Sequence, residues 1–214
     1  MKRIGLLCLA LLLLLCGCAQ TMQLEKTKEG YTDKRSGASY VALDPAYQPT
    51  ARGDAVAEYN NADRGIKRVF YEIPGLNVAQ YLADEYGNVY CSDEVLPDAA
   101  LWQLTAALVC EEESISVERC RISEGDDDTE LALLKSLWFE GASDAVLPIL
   151  APKYTFQIKL CGKEYSMLYY NFSMQIYENG EIYFYDAVSG RTVEVPRILA
   201  VKLCPEGTLP AEVL

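Results

Sequence analysis

Gln175-Ile176-Tyr177-Glu178-Asn179-Gly180-Glu181-Ile182-Tyr183-Phe184 sets an Asn-Gly pair between two alternating stretches of apolar and polar residues. Both residues of such a pair tolerate positive φ, which makes it the strongest short-range signal for a β-hairpin. Immediately upstream, strands over Tyr154 to Leu160 and Glu164 to Tyr170 flank the turn Cys161-Gly162-Lys163. Downstream, Ser189-Gly190 leads into a last strand at Arg191 to Val195. The same pattern occurs earlier in the chain. Asp54 to Tyr59 and Ile66 to Ile73 enclose the turn-rich Asn60 to Gly65, and Pro74-Gly75 ends the pair. Val78 to Ala83 then turns through Tyr86-Gly87-Asn88 into Val89-Tyr90-Cys91.

The middle of the chain has another period. Leu101, Leu104, Leu108 and Val109 fall at helical spacing, with Asp98 as the N-cap. Leu131, Leu134, Leu137 and Trp138 form a second helical stripe, which Gly141 stops, and Ile115 to Ile122 alternates as a strand between them. Hairpins at the ends with helices between them predict an α+β fold: an antiparallel, hairpin-rich sheet with one or two helices packed on one face. This domain is expected over residues 51–214. Glu85 to Tyr90 echoes Glu178 to Tyr183, which leaves room for two small repeats.

The chain opens with Lys2 and Arg3, an apolar run from Ile4 to Leu15, and Leu15-Cys16-Gly17-Cys18. A charged start, a short apolar core and a small-residue cut site make a secretory signal peptide. The run is too short to cross a bilayer, which takes ~20 residues. Its end resembles the lipobox of bacterial lipoproteins, Leu-Ala/Ser-Gly/Ala-Cys, through Leu15, Gly17 and Cys18; Cys16 departs from the usual Ala or Ser. The resemblance implies removal of residues 1–17, diacylglycerol on the Cys18 thiol, and a domain held to a membrane outside the cytoplasm. Each buried CH₂ contributes ~0.8 kcal/mol, so two or three acyl chains anchor a soluble domain firmly. Residues 18–50, rich in Lys, Glu, Thr, Ser, Gly and Pro, are expected to be the acylated Cys and a flexible tether. In whole-chain character, through Tyr71-Glu72-Ile73-Pro74-Gly75-Leu76 and Tyr177-Glu178-Asn179-Gly180, the sequence resembles the small uncharacterised lipoproteins of Gram-positive bacteria, a resemblance that implies no particular activity.

Losing Lys2 and Arg3 from 19 basic residues against 31 acidic ones deepens the formal charge from −12 to about −14. Such a charge argues against nucleic acid and anionic lipid as partners. The chain contains no histidine, which excludes Ser-His and Cys-His catalysis and imidazole metal sites. Cys91, Cys110, Cys120, Cys161 and Cys204 remain after the signal and the acylated Cys18 are set aside; their spacing includes no CxxC. The acidic run Glu124, Asp126, Asp127, Asp128, Glu130 lacks EF-hand spacing and reads as a solvated helix start rather than a metal site. No cofactor is expected.

The tyrosines of the C-terminal hairpins, Tyr165, Tyr169, Tyr177, Tyr183 and Tyr185, are the candidate binding residues: one sheet face would present them as an aromatic platform for a peptide or sugar. The sequence points to a non-catalytic binding module for an envelope protein, peptide or glycan. The alternative is a carboxylate-dependent cell-wall glycoside hydrolase, which requires two acids about 5 to 10 Å apart across a cleft. The anchor has a direct test. Cys18→Ala is expected to abolish incorporation of a fatty-acid probe in metabolic labelling, and label retained on that variant would refute lipidation at Cys18.

Overall fold

The computed structural model describes residues 21–92, 96–111, 117–125, 128–142 and 145–208; the signal segment and Cys18 lie outside these. In chain order the elements are β1 (Met22–Lys26), β2 (Gly30–Asp33), β3 (Ser39–Ala42), β4 (Tyr47–Pro49), β5 (Ala55–Asn61), β6 (Ile66–Tyr71), β7 (Tyr81–Asp84), β8 (Val89–Cys91), β9 (Leu104–Glu111), β10 (Glu118–Ser123), α1 (Asp128–Glu140), β11 (Tyr154–Gly162), β12 (Leu168–Ile176), β13 (Ile182–Tyr185), β14 (Thr192–Glu194) and α2 (Arg197–Leu203). They form two compact units. One combines the chain up to Ala42 with Arg52–Glu94, the other Leu43–Ala51 with Val95–Leu214.

The first unit is a closed barrel in the order β1-β2-β3-β8-β7-β6-β5. Every pairing is antiparallel except the closure of β1 on β5, where Met22, Gln23 and Leu24 run parallel to Ala57, Glu58 and Tyr59. Closure removes the exposed strand edges that otherwise recruit other chains. Leu24, Tyr31, Tyr40, Ala57, Phe70, Leu82 and Tyr90 make the buried core. Tyr31 packs edge-on against Phe70 at 4.8 Å and Tyr90 at 5.4 Å, an arrangement that aromatic quadrupoles favour. Where β2 crosses β3, a Cβ on Gly30 would fall 1.9 Å from the Tyr40 carbonyl oxygen, so only glycine permits the approach. Asp84, fully buried, ties the β7–β8 turn: its carboxylate accepts from the backbone N–H of Tyr86 and Asn88, both at 2.9 Å, and from Asn88 Nδ2 at 2.8 Å. Arg68 lies 3.6 Å away and supplies the compensating charge. Burial, with Asp84 alongside, pushes the Tyr90 hydroxyl up to about 12, which keeps it a neutral donor to that carboxylate.

Residues 22–49 therefore carry four strands, which overturns the tether expected over residues 18–50. That reading weighed the scarcity of aliphatic residues, but the barrel is filled by amphipathic rings: Tyr31 and Tyr40 are 3% and 2% exposed.

The second unit is a sheet in the order β10-β9-β11-β12-β13-β14. β4 extends it, pairing with Leu168–Tyr170 of β12, while β13 pairs with Ser173–Ile176 farther along the same strand. Val109, Ile158, Leu160, Phe172, Met174 and Phe184 are buried on one side, where Trp138 of α1 lies flat on Phe172 at 4.1 Å. Arg191, from the β13–β14 turn, stacks over Trp138 and donates to the carbonyl oxygens of Trp138 and Gly141, both at 2.7 Å. A cation there satisfies the free carbonyls at the C-terminus of α1 and complements its dipole.

The expected α+β domain, a single sheet with helices on one face, is thus corrected to a mostly β fold: a closed seven-stranded barrel and a separate sheet, with two short α-helices among the described residues. The helix read over Leu101 to Val109 is in fact a one-turn 3₁₀ helix at Ala99–Leu101, capped by Asp98, followed by strand β9. Leu104 and Leu108 differ by four, which fits both periods, and the near-total burial of β9 on both faces hides its alternation. The stripe ending at Gly141 forms α1 as expected.

One turn design recurs in both units. Asp33 and Asp186 each accept from the backbone N–H two and three residues on and from the hydroxyl of Ser36 or Ser189. Gly37 and Gly190 follow at φ 76° and 72°. The shared pattern is Asp-x-x-Ser-Gly.

Two outcomes follow from this architecture. Deleting residues 18–50 is expected to abolish cooperative thermal unfolding of the barrel, read by circular dichroism, because three of its seven strands are lost; an unchanged melting curve would contradict the topology. At the Asn179-Gly180 turn, Gly180 has φ 83° and donates to the Tyr177 carbonyl oxygen at 3.0 Å. Gly180→Val is therefore expected to cost more than the ~1 kcal/mol typical of substitutions, while Asn179→Gly is mild. Equal, small shifts in denaturant midpoint would show the turn to be unconstrained.

Candidate functional site

The candidate tyrosines divide. Tyr169 in β12 and Tyr183 and Tyr185 in β13 share the sheet face that carries Ser173 and Gln175, as the pairs Ser173–Tyr185 and Gln175–Tyr183 require. Tyr177 follows the end of β12 and meets Tyr183 edge-on at 5.7 Å. Tyr165 stands apart, in the turn before β12, with its ring 5.6 Å from Trp102. Tyr177 and Tyr183 are 4% and 7% exposed, and their hydroxyls donate to Gln175 at 2.8 Å and Glu181 at 3.2 Å. These rings pack on one another as cross-strand pairs, so their flat faces are largely covered.

Deeper on the same face, the Lys159 ammonium lies 4.9 Å from the centre of the Tyr169 ring, with Cys110 and Cys161 nearby. Burial pulls the pKa of Lys159 down and pushes the Cys161 thiol up to about 11. A thiol held protonated is a poor nucleophile, so these cysteines serve packing here.

A more open feature lies where β9, β10 and β11 meet the chain after α2. Glu111, Arg119, Pro152 to Phe156 and Pro205 to Thr208 line a groove of about 630 Å³. The rings of Tyr154 and Phe156 lie 6.4 Å apart and nearly parallel on its wall. Lys153 sits over the Tyr154 ring and pairs with Glu178 at 3.1 Å, which raises its pKa. The chain entering this wall carries Val146, Ile149 and Leu150, exposed to 84%, 105% and 77%. Aliphatic side chains this open, a few residues ahead of an aromatic wall in the chain, mark a surface that meets another molecule.

The carboxylates offer less. Glu111 and Glu206 both line the groove, but Arg119 clamps Glu111 through Nε and Nη2. Asp54 and Glu72 line a cleft of the first unit, where the Glu72 carboxylate lies 3.5 Å from the Asp54 backbone nitrogen. In the acidic run, Glu124 accepts from Gln103 and Asp128 from the Gly125 backbone, while Asp126 and Asp127 lie outside the described residues. Among the described residues, no three Cys, Asp or Glu side chains are grouped to hold a metal ion, and no helix is long and apolar enough to cross a membrane.

Val146-Leu147-Pro148-Ile149-Leu150 carries a signal in the sequence: an apolar run broken by Pro148 and closed by Pro152 suits neither a helix nor a central strand. The groove itself gathers three segments distant in sequence and had no local signature. Compared with known proteins, the chain matches no family model, no curated protein and no solved structure.

Proposed function

We propose that this chain is a non-catalytic lipoprotein, anchored through Cys18 on the outer side of a bacterial membrane, that binds another envelope protein or an exposed peptide segment of one at the Tyr154–Phe156 groove. The observation that carries the reading is the trio Val146, Ile149 and Leu150, open to solvent on the stretch of chain that leads to Tyr154 and Phe156. Apolar side chains so displayed gain by burial against apolar side chains of a partner, at about 25 cal/mol per Å². This favours a polypeptide over a glycan, since sugars stack on open ring faces and Lys153 already lies over the face of Tyr154. Arg119 and Lys153, paired with Glu111 and Glu178, add polar groups to the groove, as interfaces carry beside their apolar part. The acidity of the mature chain favours encounter with a basic surface.

A photo-crosslinking residue at position 149 in the intact cell identifies the partner, and the purified partner is then titrated. Ile149→Asp with Leu150→Asp is expected to weaken binding by about ten-fold or more, the effect of losing a hot spot, without lowering the melting temperature. Unchanged affinity in the double variant would dismiss the groove as the binding surface.

A further inference from the structure

Strand β10 and the last turn of α2 meet through sulfur. The Cys120 thiol, half-buried, donates to the Lys202 carbonyl oxygen at 3.0 Å. A carbonyl in the final turn of a helix has no partner within that helix, so the thiol serves as its cap. Two residues on, Cys204 ends α2; it is buried, and its N–H donates to the Ala200 carbonyl oxygen at 2.8 Å. Positions two apart at a helix end lie within ~6 Å of each other, so a sulfur seated on Lys202 is in reach of the Cys204 side chain. Burial, with Cys120 alongside, pushes the Cys204 thiol up to about 12.

The other cysteines are placed differently. Cys91 lies in β8 of the barrel. Cys110 and Cys161 share a sheet face, but Cys110 pairs with Gln157 and Cys161 with Ala106, four residues apart along each strand. Four residues of strand span ~13 Å, whereas the Cα atoms of a disulfide stand roughly 4.4–6.8 Å apart. Cys120 pairs with Val109, so it shares the helix-covered face of the sheet with Val109 and points away from Cys110. Both Cys120 and Cys204 also adjoin the groove: Arg119 and the segment Pro205 to Thr208, their neighbours in the chain, line it.

We propose that Cys120 and Cys204 form a disulfide that staples α2 to β10 and fixes the Pro205–Thr208 wall of the groove. The oxidant is itself a disulfide, of a small thiol or of a dithiol oxidase. The Cys120 thiolate attacks one of its sulfurs and expels the other as a thiolate. Cys204 then gives its proton to water, attacks the Cys120 sulfur and expels the second thiolate. Two thiols of the chain lose two electrons and two protons, and the oxidant's disulfide becomes two thiols. Closing through the buried Cys204 is the slow step. The bond stands apart from the binding reading; only its effect on the groove rests on that reading, and the bond is detected without any partner.

The test equilibrates the purified chain in reduced or oxidised glutathione, then quenches with acid, alkylates in denaturant and maps peptides by mass spectrometry. The oxidised sample is expected to yield the Cys120–Cys204 linked peptide, with Cys91, Cys110 and Cys161 recovered as alkylated thiols. Amide hydrogen exchange over Leu199 to Cys204 is expected to slow about ten-fold or more, because opening of α2 is then tethered. Cys120→Ser keeps a hydroxyl donor for Lys202 and is expected to show neither the link nor the slowing. Cys204→Ala is expected to hold glutathione on Cys120 as a lasting mixed disulfide. If a variant fails to fold, the map of the unaltered chain decides. A lasting mixed disulfide on Cys120 of the unaltered chain, a link through other cysteines instead, or no oxidation overturns the bond. The link without slower exchange overturns the staple.

Discussion

Three residues of parallel ladder, Met22 to Leu24 against Ala57 to Tyr59, convert the first unit from an open meander into a barrel. Each flanking hairpin is a local event, settled by its own turn. The closure is not local, because β1 and β5 are separated by two other strands of the barrel and by a stretch that belongs to the second unit. With the closure in place, Leu24 and Tyr59 meet across the seam, Tyr31 and Phe70 find their edge-on geometry, and Asp84 is sealed away with Arg68 as counter-charge. Without it, β1 and β5 would be free edges and a buried carboxylate would be opened to water.

Tyrosine does in this protein what leucine does in most. A tyrosine ring buries as much apolar surface as a large aliphatic side chain and keeps a hydroxyl that can reach a turn or a strand end. Tyr40 reaches the Val78 carbonyl, Tyr47 the Pro97 carbonyl, and Tyr90 the Asp84 carboxylate. This explains where the sequence was legible. The Asn60–Gly65 and Asn179-Gly180 hairpins and the α1 stripe were readable because their signals are contained within a dozen residues. The barrel was not, because its seam joins distant segments and its core residues passed for polar ones. β9 was misread because Leu104 and Leu108 are spaced alike in a strand and a helix. The Asp-x-x-Ser-Gly turn is a literal repeat at Asp33 and Asp186; the second copy was read through Ser189-Gly190 as a strand link, the first was not.

The candidate surfaces follow the same division. Most of the candidate tyrosines are already engaged: Tyr177 and Tyr183 on each other, Tyr165 against Trp102 and Tyr169 beside Lys159. The features with unspent capacity are an aliphatic loop ahead of β11 and an aromatic wall. The loop has a signature in its prolines, but the wall stands out only once the structure shows what it lacks. A residue type announces what chemistry is available, whereas burial and partnership decide whether that chemistry is already in use.

The excursion of β4 into the second sheet governs the order of events when this chain folds. Tyr47 and Pro49 pair with Tyr170 and Leu168, residues that follow them by most of the chain. A ladder of such high contact order closes slowly, since the loop entropy must be lost before the contact is gained. A polypeptide made from its N-terminus exposes β4 long before β12 emerges. During that interval β4 is an unpaired strand, and the second unit lacks part of its sheet. The last step of folding therefore waits on the C-terminal third of the chain, and a chaperone or protease has its best access before that step.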